Sequence, residues 1–236
     1  MLFRSPQSAL DALARYDTEL GRREVPRFAG RASNFRGWVL RALGQWDRAD
    51  DANLQAIDEL GSVDFPETAI AGHLDLAASA LLRGDAAAAD KALSAAATNM
   101  NGNLTFGWRL DLRLRLDRAR LGLRTGAAEL AAADASDVAA LATRLGVPRY
   151  GTVARLVALT ARRQLGEPVD LDAVARDVDR LPADVGIDAW WVAAEVSAAF
   201  DEPRLRNAAS SFAAVLGRAA APDDGALSGA VGRLLG

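Results

Sequence analysis

The residues best suited to chemistry in this chain are arginines. Arg109, Arg113, Arg120 and Arg124 sit in a leucine-rich stretch, and at about 100° per residue they fall within about 60° of one another on a helix. Leu112, Leu116 and Leu123 flank this stripe on one side and Leu110, Leu114 and Leu121 on the other, so the helix that carries it must be covered on both flanks. A guanidinium presents a planar fork of N–H donors that matches a carboxylate or a phosphate. The stripe therefore reads either as an anion-recognising groove or as a solvated arginine face paired with Asp117 and nearby acids.

Other chemistry finds little support. Lys91 stands in Ala-Ala-Asp-Lys-Ala with no glycine-rich loop before it, and neither G-x-G-x-x-G nor G-x-S-x-G occurs, so the usual phosphate cradle, dinucleotide fingerprint and nucleophile elbow are absent. His73 is the sole histidine and there is no cysteine, which excludes a two-histidine or thiolate metal site; a Ser-His-Asp arrangement would need distant residues to converge on His73, which otherwise reads as a structural or surface residue. The acidic pairs Asp50-Asp51, Asp170 with Asp172, and Asp223-Asp224 read as helix-start carboxylates at the positive end of the dipole. No catalytic residue, metal ligand or cofactor is expected, and the chain is not expected to be an enzyme.

The elements that must position the arginines are helices. With 236 residues, 50% of them hydrophobic, a mean hydropathy of +0.02 and a net charge of −3, the chain can bury a sizeable core and is not a broadly basic nucleic-acid binder. No signal-peptide core or bilayer-length apolar run is evident, so a cytoplasmic protein with no direct nucleic-acid or membrane contact is expected. Gly44, Gly84, Gly126 and Gly166 recur at intervals of 40, 42 and 40 residues, each where a helix needs a residue tolerant of positive φ to stop. They divide the chain into helical hairpins at 26–60, 66–98, 104–145, 148–181 and 187–217, after an opening helix at 6–21 and before a terminal helix at 223–235. The strict alternation from Arg109 to Leu116 has the period of a strand, but leucine and arginine are good helix formers and no β-branched residue interrupts them, so it is assigned to helix. A hairpin cannot bury its apolar face alone, and a series of them stacks.

Within the first hairpin Gly37, Gly44, Trp46, Ala49 and Ala56, and within the second Ala77, Gly84, Ala89, Leu93 and Ala96, occupy positions that resemble a tetratricopeptide repeat. Asn53 stands where that family carries a large apolar residue. The run from Pro26 to Leu216, with linking phrases such as Arg144-Leu145-Gly146-Val147-Pro148-Arg149-Tyr150, is similar to the repeat region of large ATP-dependent bacterial transcription activators of the MalT and LuxR kind. The resemblance implies an all-α, right-handed α-solenoid of about five antiparallel helical hairpins. It also implies a non-catalytic scaffold whose concave face, lined by first helices, binds a peptide, a protein segment or a small inducer in signalling or transcription regulation. Alternatives are a self-association module of a larger signalling ATPase, which would make a homo-oligomer, and a metal-free enzyme.

Aligning the hairpins on their turn glycines puts Asn34, Trp38, Arg41, Arg113, Leu116, Arg120, Arg124, Arg163 and Trp191 on that concave face. Arginine forks beside apolar and aromatic side chains suit a partner that is anionic with a greasy body. Of the adjacent Trp190 and Trp191, which point about 100° apart on a helix, one is expected to be an exposed anchor.

Overall fold

The structure, a computed structural model, describes residues 5–23, 26–58, 66–100, 104–220 and 225–235, with only the backbone of residues 20–23 and 26–29. The described residues are all-α, with twelve α-helices, one 3-10 turn and no strand. The first half comprises α1 (Pro6–Arg23), α2 (Pro26–Ala42), α3 (Trp46–Asp58), α4 (Pro66–Arg83), α5 (Ala86–Asn99) and α6 (Gly107–Thr125). The second comprises α7 (Ala128–Leu145), α8 (Pro148–Gln164), α9 (Leu171–Asp184), the 3-10 turn Gly186–Asp188, α10 (Ala189–Phe200), α11 (Pro203–Ala219) and α12 (Ala226–Leu235). Among these residues no helix is long and apolar enough to cross a membrane.

Local chemistry accounts for the boundaries. Ser5 Oγ accepts the Ser8 N–H at 3.1 Å at the start of α1, and Asp85 and Asp170 accept from Ala88 and Asp172 at the starts of α5 and α9, which satisfies amide donors that a helix start leaves orphaned. Gly44, Gly84, Gly126 and Gly166 have φ of +75°, +78°, +82° and +77°, as expected for stop positions. At the turn before α11, Asp201 takes the left-handed conformation instead, with φ +48°. The alternating run Arg109–Leu116 lies wholly within α6.

Three expectations are corrected here. Gly21 does not end α1, which continues to Arg23, and α9 runs through Pro182 to Asp184; a proline this near a helix end removes one donor without breaking the preceding turns. Asp50 is no cap, since it lies inside α3 and pairs with Arg83 of α4. The hairpin end at Leu60 and the Asp223-Asp224 pair lie outside the described residues.

Each helix packs on the one that follows it. The even-numbered helices also touch in series, α2 on α4, α4 on α6, α6 on α8, α8 on α10 and α10 on α12. Alanines make these approaches possible: Ala42, Ala77, Ala154, Ala161 and Ala193 have no exposed surface, and small side chains let helix axes come close. The series bends until its end returns to its beginning. Trp190 of α10 donates its indole N–H to the Ala42 carbonyl of α2 at 2.8 Å, α1 touches α11, and α2 touches the 3-10 turn. Across this junction one apolar cluster joins Ala9, Val39 and Ala42 to Trp190, Leu216, Leu227 and Ala230.

That closure corrects the expectation for the tryptophan pair. Trp190 and Trp191 are 1% and 7% exposed, so neither is an exposed anchor. Helix α10 has α8, α9, α11, α12 and the 3-10 turn around it, which covers both directions in which adjacent side chains point.

Candidate functional site

Helices α2, α4, α6, α8 and α10 line a cavity of about 280 Å³ whose walls also take Val185 and Asp188 from the end of α9 and the 3-10 turn. Charged groups interrupt its apolar wall where a stack of apolar helices would be expected to close up. Its lining carries five guanidinium groups, from Arg41, Arg109, Arg113, Arg120 and Arg149, against three carboxylates, from Asp75, Asp117 and Asp188. Phe35, Trp38, Tyr150 and Trp191 supply aromatic surface between them.

Three ionic centres organise these groups. Asp75 of α4 accepts from Arg113 at 2.8 Å and from Arg41 on one oxygen, and from Asn34 at 2.8 Å on the other. Burial works to raise its pKa and is the largest single influence, but Arg113 and Arg41 together hold the carboxyl below its usual value. The Asn34 amide also donates to the Oδ1 of Asn53 at 2.9 Å, which gives that fully buried side chain of α3 one partner. Gly37 faces it, because a Cβ there would lie 2.6 Å from the Asn53 amide.

Arg120 of α6 is the second centre. Its fork donates to both oxygens of Glu195 at 2.8 and 3.1 Å, its remaining terminal nitrogen donates to Asp117 at 2.8 Å, and its guanidinium lies 4.6 Å from the centre of the Trp191 ring. Arg124 adds a second donor to Glu195 at 3.1 Å. Burial would raise the Glu195 carboxyl, but Arg120 and then Arg124 hold it below its usual value. Asp117 goes the other way: burial pushes its pKa up and outweighs the attraction of Arg120, which it shares with Glu195.

Asp188 is the third. It accepts the indole N–H of Trp38 at 2.8 Å, that of Trp191 at 3.0 Å, and one N–H of Arg149, whose guanidinium lies 5.3 Å from the centre of the Trp38 ring. Arg109 differs from the other cavity arginines. Its Nε donates to the Tyr150 hydroxyl at 3.1 Å, and among the described residues it has no carboxylate.

Seven of the sequence-derived candidates, Asn34, Trp38, Arg41, Arg113, Leu116, Arg120 and Trp191, come together in this wall. Arg124 and Arg163 do not line it. Both belong to the last turns of their helices, α6 and α8, where a cation complements the helix dipole; Arg124 is exposed and held by Glu195, and Arg163 is exposed. His73 is half-buried outside the cavity, and burial lowers its pKa. The candidates aligned on the turn glycines did not include Asp75, Asp188, Arg149 or Tyr150, all of which line the cavity. Asp75 had a usable signal, because it precedes Gly84 by the same nine residues that separate Asp117 from Gly126. Asp188, on a 3-10 turn outside the helical register, had none.

Compared with protein-family models, curated proteins and solved structures, the chain matches none.

Proposed function

We propose that this chain is a non-catalytic helical-repeat receptor whose central cavity binds a small anionic ligand. In this reading the helices pair into about five tetratricopeptide-like hairpins of a right-handed solenoid, and their first helices, α2, α4, α6, α8 and α10, form the concave face. The observation that carries it is the lining of one small cavity by all five, with more guanidinium than carboxylate groups. A buried ionic network is a poor way to gain stability, because well-packed apolar side chains of similar volume often do as well or better. Its concentration around a void is better explained by recognition.

The same lining favours a small molecule over a peptide or protein segment. An extended peptide needs a groove open at both ends, whereas here Trp38 bonds to Asp188 and Trp190 to Ala42 across the junction of the first and last helices. Arg41 keeps its Nε without an acceptor although the residue is 4% exposed, so an unmet donor already stands in the wall. Catalysis gains no support from Asp75, whose lowered pKa makes it a poor base near neutral pH. In the activators that the repeat region resembles, this arrangement would correspond to a sensing arm that responds to an inducer.

Trp38 and Trp191 line the cavity, so intrinsic fluorescence reports on its occupancy. The test is a titration with small dicarboxylates, sugar phosphates and aromatic acids at two ionic strengths, repeated with Arg113→Ala and Arg149→Ala. A saturable response that weakens with salt and in both variants is expected. No saturable response, or one indifferent to both arginines, overturns the proposal.

A further inference from the structure

A second cavity of about 480 Å³ lies where α1 and α2 meet the 3-10 turn, α10 and α11. Its walls are apolar, with Ala9, Val39, Ile187, Trp190, Phe212 and Leu216 among them. The polar edge of Trp190 is turned away from use, since its N–H is already given to the Ala42 carbonyl. Interiors normally close such space by interdigitation, and this volume falls within the range of small-molecule pockets.

The two cavities share Phe35 and Trp38. Those rings stand 5.1 Å apart at 55° to each other and border both the cationic and the apolar space. Trp38 is held on its cationic side by its bond to Asp188. Beside it Arg149 spends one nitrogen on Asp188 and Arg109 one on Tyr150, which leaves further N–H donors of both forks for an acceptor in the central cavity.

We propose that the two cavities are the compartments of one site for an amphipathic anion, a medium-chain carboxylate, with its head group against Arg149 and Arg109 and its alkyl chain passing Trp38 into the apolar space. This rests on the reading of the central cavity as an anion site. Charge complementarity fixes the head group and the apolar lining fixes the tail. Both linings include Phe35 and Trp38, so the two spaces are neighbours that one molecule of this length would span.

The test is titration of the full chain with acetate, hexanoate, octanoate and decanoate, and with 1-decanol as the uncharged control, followed by tryptophan fluorescence and calorimetry. Affinity should rise about fourfold for each methylene from hexanoate to decanoate, the increment for burying one CH₂. Ala219→Trp, which fills the apolar cavity from a partly exposed position, should abolish that dependence on length while leaving the response to short anions intact. Ile187→Trp repeats the experiment if the first variant loses helicity. Arg149→Ala should weaken decanoate binding at least tenfold and leave 1-decanol unchanged. Binding independent of chain length, or length dependence that survives both tryptophan variants, overturns the two-compartment site. If short anions still bind in that case, the central cavity keeps its proposed role; if no anion of any length binds, both readings fail.

Discussion

Replacing Asp75 by alanine tests whether the cavity's ionic network is as tightly coupled as its geometry requires. Asp75 is 3% exposed and serves Arg41, Arg113 and Asn34. Its removal strands the Arg41 guanidinium, whose side chain is 4% exposed and whose Nε already has no acceptor. Removing one partner of a buried ion pair costs about 3–5 kcal/mol, because the charge left behind is neither solvated nor paired. For a domain of this size that corresponds to a fall in Tm of roughly 6–20 °C. Arg113→Ala should cost less, since Arg113 is 18% exposed and Asp75 keeps Arg41. The control is Glu167→Ala, which breaks a pair with Arg162 in which both side chains are nearly half exposed, where about 0–1 kcal/mol is expected. Urea denaturation followed by circular dichroism measures all three variants. If Asp75→Ala and Glu167→Ala fall within about 1 kcal/mol of each other, Asp75 is not the buried anchor described here.

Two further outcomes follow from the same structure. Asp75 and Glu195 have lowered pKa values, so their contributions are present above the ordinary carboxylate range of about 4 and are lost as pH falls through the lowered values. Asp117 is raised; the folded state then holds a proton that the unfolded chain has released, and stability falls as pH rises from about 3.9 through the raised value. Asp117→Asn should remove that decline, as urea midpoints measured from pH 3 to pH 8 would show, and an unchanged decline would locate it elsewhere. Gly84→Ala meets nothing within 4 Å and should cost only the left-handed backbone, about 1–2 kcal/mol. Gly44→Ala would also put a Cβ 2.8 Å from the Ala226 carbonyl oxygen and the Ala230 side chain of α12 and should cost about 1–3 kcal/mol more; equal Tm values for the two variants would mean that α12 does not seal the turn.

What the sequence determined about this protein is what short-range physics decides. Helix content follows from alanine, leucine and arginine propensities, and the turns at Gly44, Gly84, Gly126 and Gly166 follow from the positive φ that a helix stop requires. The two leucine flanks of α6 foretold burial on both sides, and Leu110, Leu112, Leu114 and Leu116 are all buried. Alignment on the turn glycines had grouped Trp38, Arg41, Arg113, Arg120 and Trp191, and all five line the one cavity. Only the tertiary structure decided what those arginines touch. Arg113 finds Asp75 on α4, Arg120 finds Glu195 on α10, and Trp38 finds Asp188 near the other end of the chain. A period of about 40 residues says which way a side chain points but not whether the row of helices stays open or returns on itself. That return depends on small side chains and on the seating of α10 and α12 against α2 and its turn, a sum of long-range contacts that no local pattern encodes. It placed the arginines around one cavity, where most of them are matched by carboxylates from within the chain.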